Sequence, residues 1–224
     1  MSSSAMPAGR FIVFEGGEGS GKSTQAARLA DRLGAVLTRE PGGTAIGGAL
    51  RALLLDARTT GLDDRAESLL MAADRAQHVA EVIRPALSSG RHVVSDRYIG
   101  STLAYQGFGR GLPVDDLRRL SAWAAAGLTP DLVVLLDVPR ELGSTRAAGR
   151  ADLAPDRVEA AGDGFHDRVA QGYRALAAAD PGRWVVVDGT ARTDEVEALV
   201  WKSVAARCPE LASAGGSGPS DPRS

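Results

Sequence analysis

Short apolar runs alternate with longer segments of helical periodicity along most of this chain. Five runs have the length and composition of strands, and they cover residues 11–14, 35–38, 92–95, 132–136 and 184–187. Their apolar residues follow one another instead of alternating with polar ones, which is typical of parallel strands covered by helices on both faces. The pattern therefore predicts the α/β class, with a doubly wound, five-stranded parallel sheet.

The longest helical pattern covers residues 65–88, and Pro85 can bend it near its end. Apolar residues recur there at intervals of three and four, which predicts one continuous buried stripe of Leu69, Ala73, Ala76, Ala80, Ile83 and Leu87. Met71 and Arg75 are four residues apart on another face, so their side chains project together. The pattern alone favours an ordinary surface arginine beside a methionine over a ligand-binding pair.

A glycine-rich segment directly follows the first predicted strand and fits the phosphate-binding pattern G-x-x-x-x-G-K-[ST], the P-loop. Its glycines allow the backbone to aim several N–H groups at one anion. A helix is predicted from Thr24 onward, with its N-terminus facing the phosphates. The sequence thus predicts a nucleoside triphosphate site formed by Gly16, Gly17, Glu18, Gly19, Ser20, Gly21, Lys22, Ser23 and Thr24.

Lysine is rare in this chain, with two lysines against twenty-four arginines. One of them is Lys22, at the motif position that needs a compact cation, and we expect it to be exposed at the loop. Ser23 can bind Mg²⁺ through its hydroxyl group, and Asp96, after the third predicted strand, supplies the carboxylate that such a site requires. Arg97 beside it can bind phosphate, although a salt bridge between neighbours is the simpler alternative.

A group of arginines follows the fourth predicted strand. Two helices are predicted there, over residues 139–150 and 157–179. Arg146 and Arg150 are four residues apart on the first helix, and Arg157 begins the second. We interpret residues 146–158 as a lid that carries cations to the phosphates. The alternative is a solvated charged surface.

The composition limits the class of protein. The chain has 224 residues, of which 44% are hydrophobic, and this predicts one domain over residues 10–208 between disordered tails, 1–9 and 209–224. Its net charge is −2 and it has no basic block, so we expect no nucleic-acid partner. We recognise no signal peptide or membrane span, and the single cysteine suits a reducing cytoplasm.

Histidine and tryptophan give no sign of a further site. The histidines His78, His92 and His166 lack the spacing of metal ligands, so we interpret them as structural. Trp123 and Trp184 are interpreted as core residues rather than stacking platforms.

Four further motifs stand in the polar segments, at residues 39–44 (Arg-Glu-Pro-Gly-Gly-Thr), 96–98 (Asp-Arg-Tyr), 104–107 (Ala-Tyr-Gln-Gly) and 156–159 (Asp-Arg-Val-Glu). With the P-loop they closely resemble bacterial thymidylate kinases (dTMP kinases) over residues 11–207, of the type with arginines in the lid rather than in the P-loop. The resemblance implies the three-layer P-loop kinase fold with strand order 2-3-1-4-5. It also implies transfer of the γ-phosphoryl group of ATP to dTMP, giving dTDP for dTTP synthesis, with Mg²⁺, in a cytoplasmic homodimer.

The same resemblance implies a set of dTMP-binding residues. Arg39 and Arg97 would hold the acceptor phosphate, Arg75 would read the thymine edge, and Glu18 would bind the 3′-hydroxyl group. Met71 stands where the family often has a phenylalanine that stacks on thymine, and a thioether covers less area with less rigidity. The base and sugar pocket would be lined by Thr102, Tyr105 and Gln106, and Tyr105 would also crowd a 2′-hydroxyl group.

Transfer to a monophosphate needs charge neutralisation more than a general base, because a second phosphate pKa of about 6 leaves the acceptor oxygen ionised at neutral pH. Gly19 stands where some thymidylate kinases carry an arginine, so we expect the lid to supply the transition-state cation. Arg150 is the first candidate. The predicted catalytic residues are Lys22, Arg97, Arg150, Arg157 and Arg146.

Two other functions stay open at this point. One is a related nucleoside monophosphate kinase, and the other is a nucleotide-binding switch that hydrolyses slowly. Paired arginines on the acceptor side argue against a switch, which needs only a donor site. The chain contains no asparagine, so it lacks the guanine-reading motif of GTPases.

Overall fold

The computed structural model of the chain describes residues 9–149 and 156–214. Its five strands are all parallel and lie in one sheet in the order β2-β3-β1-β4-β5. They are β1 Phe11–Glu15, β2 Val36–Arg39, β3 Val93–Asp96, β4 Leu132–Asp137 and β5 Trp184–Asp188. The predicted α/β class and the strand order 2-3-1-4-5 are both confirmed.

Helices cover both faces of this sheet. They are α1 Lys22–Leu33, α2 Ala45–Leu55, α3 Asp64–His78, α4 Arg84–Ser88, α5 Ile99–Thr102, α6 Val114–Ala124, α7 Arg140–Ala148, α8 Asp163–Ala179, α9 Thr193–Arg207 and α10 Pro209–Ala214. Two π-helical segments, Val79–Ile83 and Leu103–Gly109, follow α3 and α5 directly. On one face of the sheet, α1 and α9 pack Leu29 and Val200 against Ile12, and this burial of apolar surface stabilises the layer.

The edge strands differ from the inner ones. The side chains of β1 are completely buried, whereas Leu37 in β2 is 50% exposed and Val186 in β5 is 52% exposed. The prediction that helices cover both faces of every strand is therefore confirmed for the inner strands and wrong for the two edge strands. An apolar run cannot distinguish these cases, because strand composition does not tell where the layer of helices stops.

The long helix is continuous, but the predicted buried stripe is confirmed only at its end, where Ile83 is buried and Leu87 packs against the core, and it is wrong before that. Leu69 is 58% exposed, and Ala73 and Ala80 are also exposed, whereas Arg75 on another face is 2% exposed. The interpretation of Arg75 as a surface residue is therefore also wrong. The helix turns a polar face inward because the buried polar side chains there find hydrogen-bonding partners. The π-helical segment lies just before Pro85, which lacks a backbone N–H.

Three further expectations need correction. Residues 157–160 form turns, residues 161 and 162 are not helical, and α8 begins only at Asp163, after Gly162 with φ 80°. Trp123 is 80% exposed and is not a core residue, whereas Trp184 packs partly buried against the core. The predicted tail cannot begin at residue 209, because α10 places Leu211 in the core with 1% exposure.

Some predictions lie outside the described residues. They concern the outer parts of the two tails, residues 1–8 and 215–224, and residues 150–155 of the lid, which include Arg150. Within the described ranges, no helix is long and apolar enough to cross a membrane.

Candidate active site

The P-loop joins β1 to α1 at the carboxyl edge of the sheet. The φ values of Gly16, Gly19 and Gly21 are 145°, 66° and 90°, and residues other than glycine rarely adopt such values. A Cβ on Gly19 would lie 1.9 Å from the carbonyl oxygen of Gly143, so the loop also packs too closely on α7 for any larger residue. Glycine is thus required by the loop's backbone and by its packing.

Lys22 folds back over the loop. Its Nζ donates to the carbonyl oxygen of Gly17 at 2.6 Å and to the Ser20 hydroxyl at 3.3 Å, and the residue is 5% exposed. The expectation that Lys22 is exposed is therefore wrong. Burial, followed by the nearby charge of Arg97, lowers the pKa of Lys22 to about 8. An anion at the loop would reverse that effect because it favours the charged ammonium group.

Ser23 and Asp96 meet at the start of α1. The Ser23 hydroxyl donates to Oδ2 of Asp96 at 2.5 Å, and buried Oδ1 has no hydrogen-bond partner among the described residues. Hydroxyl and carboxylate oxygens are suitable ligands for Mg²⁺. This ion is usually coordinated by one or two carboxylates together with the substrate phosphates. The chemistry of this pair fits Mg²⁺, although the described residues contain no cluster of three or more metal-ligating side chains.

A cavity of about 280 Å³ opens beside the P-loop, at the carboxyl ends of β1, β2 and β3. It brings together Glu18, Lys22 and Ser23 with every side chain predicted for the dTMP site. Those side chains in the lining are Arg39, Met71, Arg75, Arg97, Thr102, Tyr105 and Gln106. Folding thus brings side chains that are distant in the sequence to the lining of one cavity.

Arg97 lies at the centre of the hydrogen-bonded groups in this cavity. Its φ is 75°, and its guanidinium group donates to the hydroxyl groups of Ser101, Tyr105 and Tyr173 at 3.0–3.2 Å. It also forms an ion pair with Glu18. Burial by itself would raise the pKa of Glu18, but the charges of Arg97 and Lys22 outweigh it and lower that pKa to about 2. The simple alternative, a salt bridge between Arg97 and its neighbour Asp96, is not what the structure has.

Arg75 is held on the opposite wall of the cavity. Its Nε donates to Glu40 at 3.0 Å, Nη2 donates to the Thr102 hydroxyl at 3.0 Å, and Nη1 lies 3.3 Å from Ser121. His78 contacts the other oxygen of Glu40 at 3.0 Å, which supports its structural interpretation. Nη2 also lies 2.9 Å from Glu40, so four of the five guanidinium N–H groups have partners and one on Nη1 is left for a ligand.

Sequence reasoning missed Arg51. This side chain lines the cavity and donates to the carbonyl oxygen of Pro41 at 3.0 Å, and the described residues give it no carboxylate partner. Burial, and then the charge of Arg39, lowers the pKa of Arg51. A signal was present in the sequence, since Arg51 is the single charged residue in the otherwise apolar helix α2. Arg39 likewise has no ion-pair partner among the described residues.

The two lid arginines that the structure describes, Arg146 and Arg157, contact different parts of the protein. Arg146 donates to the carbonyl oxygens of Gly189 and Thr190 at 2.7 and 2.9 Å, in the loop after β5. Arg157 donates to Glu67 at 2.6 Å and to the carbonyl oxygen of Leu54 at 2.9 Å. Arg157 is thus bound to the helices beside the cavity, and Arg150 is outside the described residues.

Fold and site together define a class. A five-stranded parallel sheet in this order carries a P-loop with a buried lysine, and arginines without carboxylate partners face that loop across one cavity. One phosphate site needs only the loop, so the second group of cations indicates a second anionic substrate. The protein is a P-loop kinase of small phosphorylated acceptors.

Comparisons with known proteins narrow this class. The family model described as thymidylate kinase matches residues 14–200. A thymidylate kinase of Solidesulfovibrio magneticus is 55% identical over 202 residues, covering 85% of this chain and 96% of the relative. One from a Synechococcus species is 50% identical over 210 residues, covering 92% and 98%. The crystal structure of thymidylate kinase from Ehrlichia chaffeensis superposes with a TM-score of 0.71 at 33% identity, covering 88% of this chain and 99% of that one. The chain belongs to the thymidylate kinase family.

Proposed function

We propose that this protein transfers the γ-phosphoryl group of ATP to dTMP and forms dTDP, the precursor of dTTP. The observation that carries the proposal is the placement of two cationic groups on one cavity. Lys22 lies at the P-loop, and Arg39, Arg51 and Arg97 lie across from it. Bringing two anions into line is the main task in phosphoryl transfer, and oriented cations make that approach favourable.

On the donor side, the backbone N–H groups of the P-loop and Lys22 bind the β- and γ-phosphates. Ser23 and Asp96 would hold Mg²⁺, which neutralises charge on the donor phosphates when it is bound. Because Lys22 now contacts only neutral oxygens of its own loop, bound phosphates offer it stronger, charge-assisted hydrogen bonds.

On the acceptor side, Arg39, Arg51 and Arg97 bind the monophosphate. Burial, and then repulsion from Arg39, lowers the pKa of Arg51, and an anion bound beside these side chains would favour the charged guanidinium group. The acceptor oxygen is already ionised at neutral pH because the second phosphate pKa is about 6, so no general base is required.

The sugar is placed by Glu18 and Tyr105. The Tyr105 hydroxyl donates to Glu18 at 3.0 Å, and the low pKa of Glu18 keeps it an acceptor for the 3′-hydroxyl group of the nucleotide. The Tyr105 ring then stands where a 2′-hydroxyl group would be, so deoxyribose is preferred. Met71, Thr102 and Gln106 contact the base, and Arg75 donates to its edge.

The lid supplies the cation that stabilises the transition state. Arg157 binds Glu67 and Arg146 binds the loop after β5, which leaves Arg150 as the first candidate for that role. Arg157 is therefore assigned chiefly to holding the lid against α3.

We further propose a cytoplasmic homodimer. The exposed residues Leu69 and Ala73 on α3 lie beside α2, which carries exposed Ile46 and Leu53. Apolar surface on two neighbouring helices is typical of an interface with a second copy of the chain.

The acceptor identity is tested by coupling ADP release to a panel of monophosphates: dTMP, dUMP, dCMP, a purine deoxynucleotide and the ribose analogue of dTMP. We expect dTMP to be the best acceptor, and its advantage over dUMP to correspond to about 1–3 kcal/mol from the methyl group. A different best acceptor would make the protein another nucleoside monophosphate kinase. ADP release that no monophosphate accelerates would indicate a slow switch instead.

A further inference from the structure

Glu67 is a buried carboxylate outside the roles assigned above. It lies in the first turn of α3 with no exposed surface. Its Oε1 accepts from Nε2 of Gln106 at 2.6 Å, with Nε of Arg110 at the edge of hydrogen-bonding distance, 3.5 Å. Its Oε2 accepts from Arg157 at 2.6 Å and from Nη2 of Arg110 at 3.1 Å. The short contact of Oε1 is thus the Gln106 amide, whereas the short contacts of Oε2 are two guanidinium groups.

The carboxylate of Glu67 is ionised. Burial by itself would raise the pKa of Glu67, but hydrogen bonds from Gln106 and Arg157 and the charge of Arg110 outweigh burial and lower it. An ionised carboxylate accepts hydrogen bonds and cannot donate them.

The orientation of the Gln106 amide follows from this charge state. Only the NH₂ group can face an acceptor, so Oε1 of Gln106 must point away from Glu67. No described residue donates to that oxygen, and Gln106 lines the cavity beside Thr102 and Arg75. The cavity wall therefore presents a fixed acceptor on Gln106 near the donors of Arg75.

We propose that Glu67 is a positioning residue that selects the pyrimidine by holding the carbonyl oxygen of Gln106 toward the base. The proposal rests on the proposed function, in which a pyrimidine nucleotide occupies this cavity. Thymine carries an N3–H donor, which the oxygen of Gln106 accepts. Cytosine carries an unprotonated N3, so two acceptors would face each other, and an unpaired buried acceptor is costly.

The variant Glu67→Gln tests the proposal because it should invert the orientation of the Gln106 amide. Arg110 and Arg157 can only donate, so they take the carbonyl oxygen of the new amide at the position of Oε2. The new NH₂ group then faces Gln106, which must turn its own oxygen toward it and its NH₂ group toward the base. We expect the ratio of kcat/KM for dTMP to that for dCMP to fall by about 10- to 100-fold. Binding constants for the two nucleotides, measured by calorimetry without ATP, should show the same shift.

The control is Arg110→Gln, which removes one ion pair from Glu67 but keeps the hydrogen bond to Gln106. We expect its dTMP-to-dCMP ratio to equal that of the unmodified protein within about threefold, even where stability falls. If Glu67→Gln lowers kcat/KM for both nucleotides in parallel, Glu67 only supports the fold and the proposal is wrong.

A second variant covers the case in which Glu67→Gln does not fold. Glu67→Asp keeps the charge for the arginines but withdraws the oxygen from Gln106, so we expect a drop of several-fold in the same ratio. An unchanged ratio in this variant would also overturn the proposal. If the unmodified protein binds neither nucleotide, the proposed function fails too, which distinguishes that result from a parallel loss in the variants.

Discussion

At the scale of single residues, two cations of the site, Lys22 and Arg51, are held where their charge is unfavourable in the free protein. Burial lowers the pKa of both Lys22 and Arg51, and neither has a carboxylate within salt-bridge distance among the described residues. Such groups reduce the stability of the fold, and a bound phosphate compensates for this. Their effect on function and their effect on stability are therefore expected to have opposite signs.

Lys22 makes the activity sensitive to pH above neutrality. Its pKa of about 8 lies below the ordinary value of 10.5, so the free protein loses this charge above pH 8 and kcat/KM for ATP should then fall about tenfold per pH unit. In the variant Lys22→Arg, kcat/KM for ATP should no longer fall above pH 8, because a guanidinium group stays charged. The kcat of this variant should be lower than that of the unmodified protein. The unfolded chain binds more protons between pH 8 and 10.5, so the contribution of Lys22 to the free energy of unfolding should rise with pH there.

The control for this profile is the exposed lysine, Lys202→Ala, which should keep both the rate and the decline. The measurement is kcat/KM for ATP between pH 6 and 10 at a fixed dTMP concentration well below its KM, so that the profile reports the free protein. A flat profile up to pH 10 in the unmodified protein would contradict the assignment of the lowered pKa to Lys22.

Arg51 should matter for dTMP binding and not for stability. For Arg51→Gln we expect the KM for dTMP to rise about 10- to 100-fold, because a charged hydrogen-bond donor to the phosphate is lost. The free energy of unfolding, from urea titration, should stay unchanged or rise slightly, since a half-buried cation beside Arg39 is removed. Arg58→Gln is the matched control, because Arg58 is 91% exposed and, in the part of the chain that the structure describes, pairs only with Asp56 on the surface. Equal effects of the two substitutions on the KM for dTMP would show that Arg51 does not bind dTMP.

At the scale of elements, the segments around the lid have different anchors. Arg146 of α7 contacts the loop after β5, while Arg157, after the segment outside the described residues, binds Glu67 of α3. The three arginines that look alike in the sequence therefore differ in what their loss should change.

Kinetics of alanine variants separates these roles. Arg150→Ala should lower kcat by about 10³-fold or more and change the KM for dTMP little, as for a cation that acts chiefly in the transition state. Arg157→Ala should instead raise the KM for dTMP and lower the melting temperature, because it loosens the contact with Glu67. If alanine at all three positions, 146, 150 and 157, leaves kcat within a few-fold, the lid is only a cover. Arg97 and Lys22 would then neutralise the charge alone.

At the scale of the whole molecule, exposed apolar side chains gather on neighbouring helices. Leu69 of α3 is 58% exposed, and Trp123 of α6, which packs beside α3, is 80% exposed. We expect a dimer by sedimentation velocity at micromolar concentration. Leu69→Glu should dissociate it because it buries a charge in the interface. Leu199→Glu, on the exposed face of α9 at the other side of the sheet, should leave the dimer intact. A monomeric unmodified protein would contradict the dimer and leave the chemistry untouched.

Local patterns in the sequence determined the fold and the donor site. The apolar runs predicted the five strands to within about one residue at each end, and the glycine-rich motif predicted the loop that β1 and α1 position. These features are local, because a strand needs its own apolar residues and a P-loop needs its own glycines. The order of the strands came from the resemblance to a family and not from the pattern.

Only the tertiary structure decided which face of a helix is buried and which polar groups meet. Periodicity placed Leu69 inside and Arg75 outside. The reverse is true because Glu40, in the loop after β2, and Thr102, in α5, accept hydrogen bonds from the buried guanidinium group. The burial of Lys22 and the carboxylate that orients Gln106 depend in the same way on partners distant in the chain. A sequence states which groups a residue carries, whereas the energy of burying them depends on neighbours that folding alone brings together.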